Sequence, residues 1–230
     1  MPTSRNNHIP VNGRGFVRFA VYFAPRSGSK LAEFGENWFD AGKIERAALI
    51  ASPKRYGFHA TLKAPFHLKA QYSYTDLLDG VEQLAKVTPP VSVAAFSLKR
   101  INSFYALVPQ TENDKLNALA FSCVKELDHF RVLPDKLELL RRQKTRLSPQ
   151  QAEMLNQWGY PYVDKTFRFH MTLTDAVKKD QMLSLEMILD ELTKDVRSEP
   201  VEIKDICLFG DPGQSKPFRL LERFALSGRQ

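Results

Sequence analysis

Cysteine is scarce in this chain, whose 230 residues include only Cys123 and Cys207. The first lies in a helical and the second in a strand pattern of apolar residues, so we expect buried, reduced thiols rather than a disulfide. No stretch approaches the roughly 20 apolar residues of a membrane-spanning helix. Residues 1–15 lack the apolar run of a secretory signal, which predicts a flexible leader on a cytoplasmic protein with no membrane partner.

Sequence motifs of several enzyme classes are also missing. There is no glycine-rich phosphate loop and no Gly-x-Ser-x-Gly elbow, which argues against a nucleoside triphosphatase and a serine hydrolase. There is no His-Glu-x-x-His or Cys-x-x-Cys motif, and no carboxylate or cysteine stands at ligand spacing from His59 or His170. We therefore expect no metal and no other cofactor.

The charge balance is positive but moderate, because 33 Lys and Arg against 26 Asp and Glu give a net charge of +7. This surplus favours an anionic ligand, from a small phosphate ester to RNA. Aromatic RNA-stacking motifs and dense basic stripes are absent, so a small phosphorylated molecule is favoured over RNA. The hydrophobic content of 43% is ordinary for a globular protein and excludes a disordered or fibrous chain.

The two halves of the chain repeat one order of elements. A strand with a histidine is followed by a helix and then by two strands, the second time at a similar spacing. This order predicts one bilobal α+β domain over residues 16–230, with two pseudo-symmetric antiparallel sheets lining a central cleft and helices outside. The predicted strands and helices are 56–62, 74–87, 91–98 and 104–108 in the first half, and 167–173, 180–194, 201–209 and 218–226 in the second.

The segment between the halves is helical in pattern. Apolar residues recur every three or four positions over 111–130, and residues 134–144 predict a further helix. The next helix has a distinct start, because Ser148 and Gln151 fit a capping box around a first-turn Pro149. Gly159 fits the left-handed conformation that ends many helices.

The residues that carry chemistry lie in a duplicated His-x-Thr strand, at 58–63 and again at 167–174. Residues two apart in a strand project from the same face. His59, Thr61 and Lys63 are therefore predicted to share one face, and the second copy repeats this arrangement. That polar row consists of Arg168, His170, Thr172 and Thr174.

Two histidines at equivalent positions suit acid–base catalysis on a phosphodiester. Imidazole titrates near neutral pH, so one ring can accept a proton from water while the other protonates the leaving alkoxide. The hydroxyls of Thr61 and Thr172 can donate hydrogen bonds to phosphate oxygens, and Lys63 or Arg168 can offset the anionic charge. The plain alternative is that each histidine is a satisfied core residue.

Other candidates flank these strands. Tyr56, Tyr160 and Tyr162 stand next to them and can hydrogen-bond a phosphate or stack on a base or sugar, although aromatic packing also explains them. Arg141 and Arg142 belong to a basic stretch that can hold a distal phosphate, although a solvated helix face is the alternative.

The paired motifs resemble those of the two-histidine (2H) phosphoesterase superfamily. The resemblance extends over residues 16–226, nearly the whole chain, and the sequence looks like the branch encoded beside carbon–phosphorus lyase genes in bacterial phosphonate-degradation operons. It implies metal-independent phosphodiester chemistry, with catalytic roles for His59 and His170 and phosphate-binding roles for Thr61 and Thr172. The segments that carry it, besides 167–174, are 21–25, 55–65 and 147–163.

Three functions follow as hypotheses. The first is hydrolysis of a small cyclic phosphodiester in phosphonate catabolism, for which the resemblance suggests 5-phosphoribosyl 1,2-cyclic phosphate. The second is an RNA 2′,3′-cyclic phosphodiesterase or end-processing enzyme. The third is a non-catalytic RNA- or nucleotide-binding module, which the presence of both histidines and both threonines disfavours.

Overall fold

The computed structural model describes residues 15–40, 44–133 and 147–229. The predicted helix at 134–144 and residues 1–14 of the predicted leader lie outside these ranges. None of the described helices has the length and hydropathy needed to cross a membrane. The α-helices are α1 (Lys30–Trp38), α2 (Ala51–Tyr56), α3 (Tyr74–Val87), α4 (Asp114–Glu126), α5 (Pro149–Trp158) and α6 (Met182–Ser198). The strands are β1 (Arg18–Phe23), β2 (Ala60–Phe66), β3 (Val91–Val93), β4 (Phe96–Ile101), β5 (Phe104–Pro109), β6 (Met171–Thr172), β7 (Val201–Ile203), β8 (Asp205–Asp211) and β9 (Arg219–Ala225).

The strands form one large antiparallel sheet and one small one. The large sheet has seven strands in the order β4-β5-β6-β2-β1-β8-β9, and β3 pairs with β7 in the second sheet. Each named neighbouring pair is antiparallel. The predicted α+β class with antiparallel sheets is therefore confirmed, and the two halves of the chain join their strands into a continuous sheet.

The two halves are interleaved in space. Helix α3 of the first half packs on β8 and β9 of the second, and α6 of the second half packs on β4 of the first. The β3–β7 pair also takes one strand from each half. A single apolar cluster accordingly contains residues from Phe16 to Leu226. Elements from both halves of the chain therefore support the centre of the large sheet, which bears the cleft.

Two predicted strands are each divided in the structure. The stretch predicted at 91–98 forms β3 and β4, and the stretch predicted at 201–209 forms β7 and β8, with the members of each pair in different sheets. Hydrophobic alternation reports which side chains are buried but not which strand is the partner. The prediction of single strands was therefore wrong at the same place in both halves.

The start of the first motif strand also differs from the prediction. Tyr56 ends α2, and Gly57 follows with a φ of 75°, which turns the chain before β2 begins at Ala60. The strand then continues through Pro65, where the prediction ended it. Strand β6 pairs with β2 only at Ala60, so Pro65 lies where β2 is hydrogen-bonded on the β1 side alone.

Local sequence signals for α5 and the cysteines were correct. Ser148 accepts a hydrogen bond from the Gln151 amide, and the Gln151 side chain accepts one from the Ser148 amide, which completes the predicted capping box. Gly159 ends the helix with a φ of 70°. Cys123 in α4 and Cys207 in β8 are both buried and unpaired. Burial raises the pKa of each thiol to about 12, which keeps both protonated.

Gly35 provides a test of how α1 supports the site. It lies in α1, and a Cβ added to it would stand 2.3 Å from the ring of Phe58, the residue before His59. Gly35→Ala would ordinarily stabilise a helix by about 1 kcal/mol. Here we expect the overpacking to lower the free energy of unfolding by about 1–3 kcal/mol, measured by urea denaturation. Adding Phe58→Leu should recover part of this loss. A higher free energy of unfolding in Gly35→Ala would contradict the close packing of Gly35 against Phe58.

Candidate functional site

The two His-x-Thr segments meet on neighbouring strands. Ala60 of β2 lies directly opposite Met171 of β6, and both side chains are fully buried in the core. In this antiparallel register His59 stands opposite Thr172, and Thr61 stands opposite His170. Directly opposed side chains lie about 5 Å apart at Cβ, and diagonal ones about 7–8 Å apart. The four polar residues thus form a compact rectangle on the face away from the core.

Both histidines are held by the same hydrogen bond. Nδ1 of His59 donates to the carbonyl oxygen of Gly57 at 2.9 Å, and Nδ1 of His170 donates to that of Arg168 at 2.8 Å. A carbonyl oxygen only accepts, so in the neutral ring the proton is on Nδ1 and Nε2 carries the lone pair. The Thr61 hydroxyl then donates to Nε2 of His59, at 3.3 Å. Each Nε2 is consequently the reactive nitrogen.

Burial lowers the pKa of both histidines, although only His59 of the two is among the residues that line the cleft described below. Burial is the main cause of the fall to about 4 at His59, where the charge of His170 lowers the pKa further against the Gly57 hydrogen bond. At His170 burial again lowers the pKa, and the Arg168 guanidinium adds to this effect. A neighbouring anion favours the charged form of an imidazole. Binding of an anion between the rings would therefore raise these pKa values and bring a proton into the site.

Tyr22 forms the floor beneath His59. It lies in β1, its ring centroid is 4.0 Å from that of His59, and only 1% of its surface is exposed. Burial raises the pKa of Tyr22 well above its usual range, so the phenol remains protonated. The sequence reasoning assigned no site role to Tyr22, although the alternation of β1 places it on the cleft face with Arg18.

Lys63 lies outside the cleft, and the predicted shared face is wrong. Tyr22 pairs with Thr61 while Val21 pairs with Lys63, so Leu62 is an extra residue in a β-bulge. The bulge reverses the alternation and turns Lys63 toward α4. There its ammonium donates to the carbonyl oxygen of Val124 at 3.1 Å and lies 3.4 Å from Asp128. Burial lowers the pKa of Lys63 to about 8.

The remaining predicted residues are distributed around the motif. Arg168 is exposed and precedes β6, which at two residues is shorter than the predicted strand. The Tyr56 ring centroid lies 6.1 Å from that of His59. Tyr160 and Tyr162 contact each other with centroids 5.5 Å apart on the wall of the cleft. Arg141 and Arg142 lie outside the described residues.

The cleft beside His59 has a volume of about 500 Å³, in the usual range for small-molecule sites. Its walls come from β1, β2, the end of α2 and the segment around α5. A larger apolar cavity of about 730 Å³ lies between α3 and α4, and neither motif histidine lines it. No cluster of three or more His, Cys, Asp or Glu side chains that could hold a metal ion occurs in the described residues.

Comparison with known proteins identifies relatives of the chain. A family described as a protein of unknown function, DUF1045, matches residues 61–219. A protein of Janthinobacterium sp. (strain Marseille) is 28% identical over 241 residues, covering 96% of this chain and 53% of that protein. One of Laribacter hongkongensis (strain HLHK9) is 31% identical over 219 residues, with 89% and 50% covered. Both are named ribose 1,5-bisphosphate phosphokinase PhnN, and the chain spans about half their length.

A solved structure shares the fold. E. coli LigT in complex with 3′-AMP superposes with a TM-score of 0.51 at 13% identity, covering 92% of this chain and 99% of LigT. At this identity the similarity establishes the fold alone. This is the fold that the resemblance of the two His-x-Thr motifs implied.

The coupling of the two histidines can be tested by titration. Burial is the main cause of the low pKa of His59 and the charge of His170 adds to it, so His170→Ala should raise this pKa above about 4 but only by part of the shift. Nitrogen-detected NMR of the imidazoles measures this shift and also reports the proton on Nδ1. His129→Ala is the control and should leave His59 unchanged. An unchanged pKa of His59 in His170→Ala would show that the two residues are not electrostatically coupled.

Proposed function

This chain belongs to the DUF1045 family, and we propose from the pairing of its two His-x-Thr segments that it is a phosphodiesterase using His59 and His170 as acid and base. The observation that carries the proposal is the register that sets each histidine opposite the threonine of the other motif. Such a rectangle presents two reactive nitrogens and two hydroxyls to one phosphate group. LigT, which shares the fold, was solved in complex with 3′-AMP, and a nucleoside monophosphate ligand in that protein is consistent with a phosphate site here.

The reaction needs one neutral and one protonated imidazole. Nε2 of the neutral ring takes a proton from water as the water oxygen bonds to phosphorus. Nε2–H of the other ring gives its proton to the alkoxide oxygen as its bond to phosphorus breaks. The Gly57 and Arg168 carbonyl oxygens keep both rings oriented and stabilise the positive ring. The Thr61 and Thr172 hydroxyls donate to the non-bridging oxygens, whose charge increases in the transition state.

The substrate proposed here is a cyclic phosphate of a phosphorylated ribose. The cleft volume of about 500 Å³ suits a small molecule. The curated relatives are named for a kinase of ribose 1,5-bisphosphate, and their additional length leaves room for a second activity in those proteins. Hydrolysis of 5-phosphoribosyl 1,2-cyclic phosphate with loss of the bond to O2 gives ribose 1,5-bisphosphate. The product of this chain would then be the compound that the relatives' name specifies.

The 2′,3′-cyclic phosphate of an RNA end is the second candidate. The rings of Tyr56 and Tyr162 line the cleft beside the motif, and aromatic rings are common platforms for stacking unpaired bases. In that case the nucleoside would occupy the tyrosine-lined wall while the same histidines act on the cyclic phosphate.

The catalytic pair is tested by single and double substitution. His59→Ala and His170→Ala should each lower kcat for the preferred cyclic phosphate by about 10²–10⁴, the usual range for losing a general acid or base. The double variant should be little worse, because the two residues act as a unit. Full activity in either single variant would refute the pairing.

Lys63→Met supplies a matched control on the same strand. It removes a buried cation that lies outside the cleft, so stability should change while kcat stays close to that of the wild type. The proposed mechanism also uses no metal, and turnover should persist after exhaustive chelation. Loss of activity that Zn²⁺ or Mn²⁺ restores would contradict it.

Substrate choice is tested by kcat/KM over ribose cyclic phosphates, nucleoside 2′,3′-cyclic phosphates and short RNAs with cyclic ends. We expect small sugar cyclic phosphates to be preferred, and ³¹P NMR should identify ribose 1,5-bisphosphate as the product of the 5-phosphorylated substrate. A tenfold preference for the RNAs, about 1.4 kcal/mol of transition-state stabilisation, would establish the second candidate instead. Binding of RNA without turnover of any compound would indicate a non-catalytic module.

A further inference from the structure

A cationic residue, Arg18, lines the cleft on the strand that carries Tyr22. Arg18 and Tyr22 stand on the same face of β1, four residues and therefore about 13 Å apart at Cα. Both line the cleft, with Tyr22 at the His59 end. The side chain of Arg18 is 32% exposed, so its guanidinium is accessible from the cleft. No sequence motif marks this residue.

A buried carboxylate fixes the Arg18 guanidinium. Asp211 lies opposite Arg18 on β8 and is 1% exposed. Nε and Nη2 of Arg18 both donate to its Oδ2, at 3.0 and 2.5 Å, and the Gly213 amide donates to Oδ1 at 2.9 Å. Burial alone would raise the pKa of Asp211, but these hydrogen bonds lower it, so the carboxylate stays charged.

The cluster carries a surplus positive charge. Arg55 also approaches Asp211, with Nη2 3.3 Å from Oδ1, so two guanidinium groups share one carboxylate. Nη1 of Arg18 makes no hydrogen bond to the part of the chain that the structure describes. A preorganised guanidinium with free donors binds phosphate at a low entropic cost, and its planar donor fork matches phosphate oxygens.

We propose that Arg18, held by Asp211, binds a second phosphate of the substrate while the histidines act on the cyclic one. This inference rests on the proposed function and specifies its substrate class as small cyclic phosphodiesters that bear a further phosphomonoester. The sugar then spans the cleft between the two anion positions, over Tyr22 and beneath Tyr160. Arg18 sets specificity, because a substrate lacking the second phosphate leaves it without a partner.

The test compares ribose 1,2-cyclic phosphate with and without a 5-phosphate. In Arg18→Gln the KM for the 5-phosphorylated compound should rise about tenfold or more, and kcat/KM for the unphosphorylated compound should change less than twofold. Arg26→Gln is the matched control, because Arg26 also pairs with a buried carboxylate, donating Nε to Asp205 at 2.6 Å, but lies outside the cleft. It should leave both substrates unaffected. An equal loss on both substrates in Arg18→Gln would overturn the proposal.

Two further measurements keep the result decisive. Should Arg18→Gln fail to fold, Arg18→Lys retains the charge but not the donor fork, and it should weaken only the 5-phosphorylated substrate. The binding of ribose 5-phosphate to His170→Ala can be measured by calorimetry, which requires no turnover. A lower affinity for ribose 5-phosphate in the Arg18 variant supports the phosphate site, even if no cyclic phosphate is hydrolysed. The absence of hydrolysis would refute the proposed function alone. Undiminished affinity would refute the Arg18 site.

Discussion

The pairing of β2 with β6 at Ala60 and Met171 is the contact on which the site depends. These two side chains are fully buried, so a shift of one residue would carry apolar groups into the cleft and the histidines into the core. A change of register would therefore cost much more free energy than the weak polar contacts of the cleft could offset. Helices α3 and α6 reinforce it because each packs on strands of the other half. The geometry of the histidines follows from the core rather than from contacts between the polar residues themselves.

Burial of the two imidazoles sets their chemistry. The same desolvation that lowers the pKa of His59 to about 4 strengthens any charge–charge interaction in the cleft. A bound phosphate would supply the negative charge that a protonated ring lacks in the free cleft, and the carbonyl hydrogen bonds at Nδ1 favour the same form. Proton uptake is thus linked to the binding of an anion. One imidazolium facing one imidazole is the state that the proposed acid–base reaction requires.

Sequence reasoning succeeded where the determining interactions are local and failed where they are not. The capping box at Ser148 and the pairing of His59 with Thr61 on one face depend on residues two or three positions apart. The bulge at Leu62 depends on how β2 meets β1, so the expected orientation of Lys63 was wrong. The divided strands at 91–101 and 201–211 depend on a change of partner that alternation does not encode. Arg18 and Asp211 are separated by 193 positions, and no local pattern connects them.

The location of charge matters more here than its sum. A net charge of +7 spread over the surface is screened by salt within about 10 Å. Two arginines that share the buried Asp211 leave a single positive charge at the edge of the cleft, where the lower dielectric strengthens its attraction for an anion. Lys63 and Arg131 likewise share one carboxylate, that of Asp128, but neither cation lines the cleft. Composition predicts an anionic ligand, while the position of the cation proposed to contact it depends on tertiary structure.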